Sequence, residues 1–170
     1  MNEIINRVEK SGVIAVDLAD FMPRASELKA FDFAPFLWNE MVLKEKDFRE
    51  QLKSLDWSVF QDKHVYLHCS IDAILPSWSY ILVTSYLVRI AKSIAIGGEA
   101  NAKQTAMEQA IRGLDVSHYQ DGKLIVKGCS DIPNPAAIMS LFLQQVQPVC
   151  SSFMYGEPCS TVPIYKRPKA

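Results

Sequence analysis

The chain has 170 residues and a formal net charge of -1, with 49% apolar and 22% charged residues. These values predict one globular domain over residues 1–170, large enough to bury a core without disulfides. The balanced charge lacks the basic excess of nucleic-acid-binding proteins and so argues against that class.

We expect no targeting signal at the start of the chain, because charges interrupt the first ten residues where a signal peptide would be apolar. The longest uncharged stretch lies between Asp72 and Arg89. It contains Pro76 and is too short for a membrane span. We therefore expect a cytoplasmic protein that binds no membrane, with cysteines that stay thiols. No low-complexity tract and no clear repeat of fixed period is apparent.

The N-terminal part predicts mixed α+β structure. In chain order, the pattern favours a helix over 3–10, strands over 13–18, 27–33 and 41–43, and a helix over 44–55. The last of these has Phe48, Leu52 and Leu55 on one face at helical spacing.

From residue 64 onward, strands alternate with helices. The predicted strands cover 64–68, 93–96, 123–127 and 152–155, and helices are predicted over 76–92, around Met107 to Leu114, and over 136–149. This alternation predicts three βα units and an α/β fold with a mainly parallel sheet and flanking helices. The helix over 76–92 is apolar almost all round, so we expect it to be packed on more than one side.

Three Cys-Ser pairs are the sequence feature that most clearly indicates a chemical function. Cys69, Cys129 and Cys159 each follow a predicted strand and each precede a serine. The carboxyl ends of parallel strands lie at one edge of a sheet, where ligands bind in open α/β folds. We therefore expect three thiols from distant segments to meet there, next to helix N-termini that favour the thiolate.

Carboxylates and an imidazole flank these thiols in the sequence. Three thiolates and one such group would complete a tetrahedral zinc site, and thiolate-rich sites also suit iron and iron–sulfur clusters. The sequence therefore predicts a zinc or iron site. Its candidate ligands are Cys69, Cys129, Cys159, Asp72, Asp131, His68 and Glu157.

Other interpretations remain open. One thiol could serve as the nucleophile of an enzyme or as a sulfur carrier, or all could be buried packing residues of a non-catalytic scaffold. Cys150, at a helix end among valines, favours the core. A phosphatase-type loop would need an Arg where Leu75 stands, and no other motif assigns a catalytic residue.

The segments Lys127-Gly-Cys-Ser-Asp131 and Met154-Tyr-Gly-Glu-Pro-Cys-Ser-Thr-Val-Pro163, with Leu43-Lys-Glu-Lys-Asp-Phe-Arg49, resemble a bacterial family called domain of unknown function 2480. The resemblance extends over nearly the whole chain. Members of this family resemble proteins whose genes lie next to iron–sulfur assembly genes. This resemblance implies a function connected with thiols and metals. The partners that this context suggests are iron–sulfur assembly proteins. Independently of the resemblance, we expect a homodimer.

Overall fold

The computed structural model describes residues 12–127, 131–157 and 160–168. In these ranges the strands are β1 (Val13–Val16), β2 (Leu28–Asp32), β3 (His64–His68), β4 (Ser93–Ile96), β5 (Lys123–Val126), β6 (Ser152–Glu157) and β7 (Ser160–Lys166). The α-helices are α1 (Glu45–Ser54), α2 (Ser77–Leu87), α3 (Glu99–Arg112) and α4 (Pro135–Val146). Within the same ranges, no helix is long and apolar enough to cross a membrane.

The strands form two sheets. One has the order β1-β5-β6-β7 and the other the order β2-β3-β4. All neighbours pair in parallel except β6 and β7, which are antiparallel. The predicted α/β class with mainly parallel strands is therefore confirmed. The strands of the predicted βα units are divided between the two sheets.

One local prediction is wrong, one strand was not predicted, and one predicted helix lies outside the described residues. Residues 41–43 form no strand, and only an isolated bridge joins Trp38 to Val42. Strand β7 was not predicted, because Pro163 interrupts its pattern of β-forming residues. The helix predicted over 3–10 lies outside the described residues.

The chain divides into two compact units. We call residues 23–106 the middle unit, and residues 1–22 together with 107–170 the split unit. The middle unit has an aromatic-rich core that includes Phe33, Phe48 and Leu67. The split unit has its own core, which includes Met107, Leu124 and Phe142. In both units, the strands and the inward stripe of each helix supply most of the buried residues, and residues outside these elements, such as Phe33, supply the rest.

The two units repeat one sequence pattern. Leu55-Asp-Trp-Ser-Val-Phe-Gln-Asp62 in the middle unit corresponds to Leu114-Asp-Val-Ser-His-Tyr-Gln-Asp121 in the split unit. The difference in residue number between these two segments is the same as that between β3 and β5, between α2 and α4, and between β4 and β6. It also relates the fully buried Phe48 to the fully buried Met107.

The repeated residues make the same backbone contacts in each unit. Asp62 and Asp121 both have φ of 56°. Their N–H groups donate to the carbonyls of Ile90 and Val149, each at 2.9 Å. The strands β2 and β1 match as well, because Ala-Phe-Asp-Phe-Ala34 parallels Ala-Val-Asp-Leu-Ala19. The chain therefore contains two copies of one α/β module, which corrects the expectation that it has no repeat.

Candidate functional site

The carboxyl edge of the middle unit's sheet is organised by Asp32, the last residue of β2. Its Oδ1 accepts the backbone N–H of Ala34 at 2.9 Å and that of Ser70 at 3.0 Å. The first bond shapes the turn after β2, and the second fixes the Cys-Ser loop that follows β3. One carboxylate therefore holds both loops at the edge where open α/β sheets bind ligands.

The environment of Asp32 favours its charged form. Burial acts to raise the pKa of Asp32, but hydrogen bonds from Ser70 and the N–H of Ala34, with the nearby His68, outweigh it. The pKa of Asp32 is therefore lowered below its usual value. His68 is its register partner on β3. The edge thus carries a carboxylate beside an imidazole.

Cys69 and His68 have different surroundings. Cys69 is half-buried and packs against the middle unit's core cluster. The His68 ring lies 5.4 Å from the Tyr66 ring, centroid to centroid, on the face that alternates with the core residues Val65 and Leu67.

The split unit repeats this edge with a different basic residue. Asp17 and Lys127 occupy the positions of Asp32 and His68. The Lys127 ammonium donates to Asp17 Oδ2 at 3.1 Å. This bond, with the nearby carboxylates of Glu157 and Asp20, raises the pKa of Lys127 above its usual value. In both modules, therefore, an Asp stands at the end of the N-terminal strand, and a basic residue stands shortly before the Cys-Ser pair in the sequence.

Comparison with known proteins gives one match. A family model described as "Protein of unknown function (DUF2480)" matches residues 2–167. The chain belongs to the DUF2480 family. The match confirms the family resemblance and carries no assigned activity. Searches of curated proteins and of solved structures give no match.

The predicted ligands of this DUF2480 chain are spread over both units. Cys69, His68 and Asp72 belong to the middle unit, whereas Asp131 and Glu157 belong to the split unit. Asp72 and Asp131 are exposed, and Glu157 is half-buried at the end of β6. Cys129 and Cys159 lie outside the described residues. Within residues 12–127, 131–157 and 160–168, no group of three or more His, Cys, Asp or Glu is arranged to hold a metal ion.

The division into two sheets determines which cysteines follow strands of the same sheet. Cys69 follows β3 in one sheet, whereas Cys129 and Cys159 follow β5 and β6 in the other. The expectation that all three lie at one sheet edge is therefore wrong for Cys69. Strands β5 and β6 are direct parallel neighbours, so their carboxyl ends lie at the same edge of their sheet.

The sequence prediction missed Asp17, Asp32 and Lys127. The signal for the two aspartates was the repeated pattern Ala-x-Asp-x-Ala at the end of both N-terminal strands, and the signal for Lys127 was its position equivalent to His68 in the repeat. Cys150 is fully buried, and burial raises the pKa of its thiol, in keeping with the predicted core role. His64 is half-buried, and its Nδ1 lies 2.7 Å from Ser93 Oγ.

Replacing Asp32 tests its structural role. We expect Asp32→Asn to lower the free energy of unfolding at neutral pH by about 2 kcal/mol, because the charged acceptor of two N–H groups is lost. Since the folded-state pKa is lowered, this stabilisation is fully present above about pH 4 and is lost as the pH falls through the folded value.

Chemical denaturation from about pH 2 to pH 7 measures this effect. The wild-type protein should lose more stability on acidification than the variant does. Glu50→Gln, on the exposed side of α1, is the control and should change stability by less than about 0.5 kcal/mol. Parallel pH profiles for Asp32→Asn and wild type would contradict the prediction.

Proposed function

We propose that this DUF2480 protein binds a zinc or iron ion through the thiolates of Cys129 and Cys159. The observation that carries the proposal is the parallel pairing of β5 with β6, in which Val126 is the register partner of Tyr155. Cys129 and Cys159 follow these two residues within a few positions. Segments that leave neighbouring parallel strands start from the same sheet edge.

The described residues around this edge supply further ligand chemistry. Asp131 follows Cys129 and Glu157 precedes Cys159, each within a few positions, so both provide carboxylates close in sequence to the two cysteines. Two thiolates with carboxylate, imidazole or water ligands suit zinc, and thiolates also suit iron. When bound, the ion would act as a structural centre or as a Lewis acid.

Lys127 provides a positive charge close in sequence to the proposed ligand Cys129. It lies two positions before Cys129 and interacts with Asp17 and Glu157. A neighbouring cation lowers the free energy of forming a thiolate, which a metal needs as its ligand. We propose an accessory role in iron–sulfur or thiol metabolism, with iron–sulfur assembly proteins as partners. This role is the one that the family resemblance in the sequence implies.

Metal analysis of anaerobically purified full-length protein tests the proposal. We expect roughly one zinc or iron per chain, and loss of most of it in Cys129→Ser and Cys159→Ser. Cobalt substitution should add a thiolate-to-cobalt absorption band that both variants lose. Cys69→Ser is the matched control, because it changes the same Cys-Ser motif in the other unit.

Two results would refute this assignment. The first is wild-type protein with no zinc or iron above background, even after anaerobic incubation with each ion. The second is metal content in Cys129→Ser and Cys159→Ser equal to that of Cys69→Ser.

A further inference from the structure

A cavity of about 210 Å³ lies between helix α4 and the strands β5, β6 and β7 of the split unit. Val126, the last residue of β5, and its register partner Tyr155 on β6 both line this cavity. The cavity is therefore at the carboxyl ends of two neighbouring parallel strands, which is the edge where open α/β sheets bind ligands.

The cavity has an apolar floor and an exposed rim. The floor consists of buried or half-buried residues, namely Val126, Met139, Leu143 and Phe153. The rim consists of the exposed residues Ser140, Tyr155 and Ile164. None of these described lining residues carries a charge. An occupant would therefore contact apolar side chains on the floor and hydroxyl-bearing residues at the rim.

Strand β7 supplies one wall of the cavity through a shift in its register. Phe153 of β6 pairs with Tyr165 of β7, and the next β6 residue pairs with Pro163. Ile164 is therefore an extra residue on β7, and it lines the cavity. Such bulges redirect side chains and are frequent next to active sites. Among the described strands, β7 has no counterpart in the middle unit, so the split unit adds this wall to the repeated module.

The middle unit shows that the module folds without the two hydroxyl-bearing residues. Ile81 and Ile96 stand at the positions of Ser140 and Tyr155. Ile81 is 70% exposed, so the expectation that the helix over 76–92 is packed on more than one side is not met within the described part of the chain. Because the module folds with isoleucine at both positions, its packing does not account for the serine and the tyrosine.

We propose that this cavity binds a small, uncharged aromatic compound that carries a hydroxyl group, a simple phenol. The volume sets the size, because a cavity of about 150 Å³ holds one benzene molecule. The cavity of about 210 Å³ therefore holds one ring with a small substituent. The proposal does not rest on the metal site, since no lining residue is a proposed metal ligand.

The lining residues select the chemistry of the ligand. The rings of Phe153 and Tyr155 and the thioether of Met139 favour an aromatic ring. The hydroxyl groups of Ser140 and Tyr155 can each donate and accept a hydrogen bond, so they match a hydroxyl substituent. A charged ligand is disfavoured, because it would lose its hydration beside this uncharged lining without gaining an ionic partner.

Methyl NMR of the full-length protein during titration with p-cresol tests the proposal. We expect the methyl signals of Met139 and Ile164 to shift, with a dissociation constant of roughly 0.1 to 1 mM for so small a ligand. The signals of Met107, in the core of the same unit, and of Ile74, in the middle unit, should stay unchanged. Toluene, which lacks the hydroxyl group, and p-toluate, which is charged, should each bind at least about fivefold more weakly.

The middle unit provides the matched variant. The double variant Ser140→Ile, Tyr155→Ile copies its residues, so the fold should persist while the affinity for p-cresol falls at least about tenfold. A second double variant, Ser140→Ala, Tyr155→Phe, removes only the hydroxyl groups. It should weaken p-cresol binding by about fivefold and leave toluene binding unchanged. Tyr66→Phe, at a half-buried position in the middle unit, is the control and should bind p-cresol like wild type.

Met139 and Ile164 signals that do not shift at the solubility limit of p-cresol would overturn the proposal. So would shifts of equal size at Met107, or an affinity for p-toluate equal to that for p-cresol. Wild-type affinity for p-cresol in either double variant would also overturn it, and the variant without hydroxyl groups gives this result independently of how well the isoleucine variant folds.

Discussion

The Phe48→Ala variant is expected to lose about 4 kcal/mol of unfolding free energy. Phe48 is fully buried in α1, and its ring lies 5.2 Å from that of Phe36, 6.0 Å from that of Phe33 and 6.1 Å from that of Trp78, between centroids. Truncation removes the apolar burial and these ring contacts, and leaves a cavity that the surrounding aromatic side chains cannot fill without moving.

Urea denaturation followed by tryptophan fluorescence measures this loss, since Trp57 and Trp78 pack against the same core. Val59→Ala, at an exposed position, provides the control and should change the unfolding free energy by less than about 0.5 kcal/mol. A loss below about 1.5 kcal/mol for Phe48→Ala would show that this residue is not central to the core.

The second large effect is expected for Gly156→Ala, at about 3 kcal/mol of destabilisation. Gly156 has φ of 121°, a conformation that other residues rarely adopt. An added Cβ would also collide with the backbone carbonyl oxygen of Ser160 on the paired strand β7. The backbone there cannot move without disturbing the pairing of β6 with β7.

Two other glycines make this prediction specific. Gly97 is the equivalent residue at the end of β4, with φ of 116°, but its added Cβ would meet the side chain of Asn101, which can move. Gly98→Ala has no atom within 4 Å of the new methyl group. Thermal unfolding should therefore rank the destabilisation as Gly156 first, Gly97 second and Gly98 last, and any other order would contradict the steric explanation.

The sequence patterns predicted most helices and strands because their signals are local. The β-forming residues of β3, such as Val65 and Tyr66, and the Asn134-Pro135 start of α4 are such signals. Strand pairing is not local, since β1 pairs with β5 more than a hundred residues later. The division into two sheets therefore could not be predicted from strand order alone. The repeat was missed because β1 and β2 are related by a different spacing from the remaining elements.

Prediction of the candidate site was limited in a similar way. The residue types of the Cys-Ser segments indicated the chemistry, and their positions after strands indicated the sheet edge. Which cysteines share an edge depends on sheet membership, and that separates Cys69 from the segments after β5 and β6. The ordering role of Asp32 was not predictable, because it depends on a hydrogen bond to Ser70, which is distant in sequence.

The order of the modules along the chain has a consequence for biosynthesis. The middle unit is one continuous segment, 23–106, so the ribosome can release all of its strands before residues 107–170 are made. Strand β1 is translated earliest among the described strands, yet its partner β5 emerges only after the whole middle unit. The nascent chain must therefore keep β1 unpaired while a complete neighbouring module folds, and this interval is when a chaperone would be of most use to it.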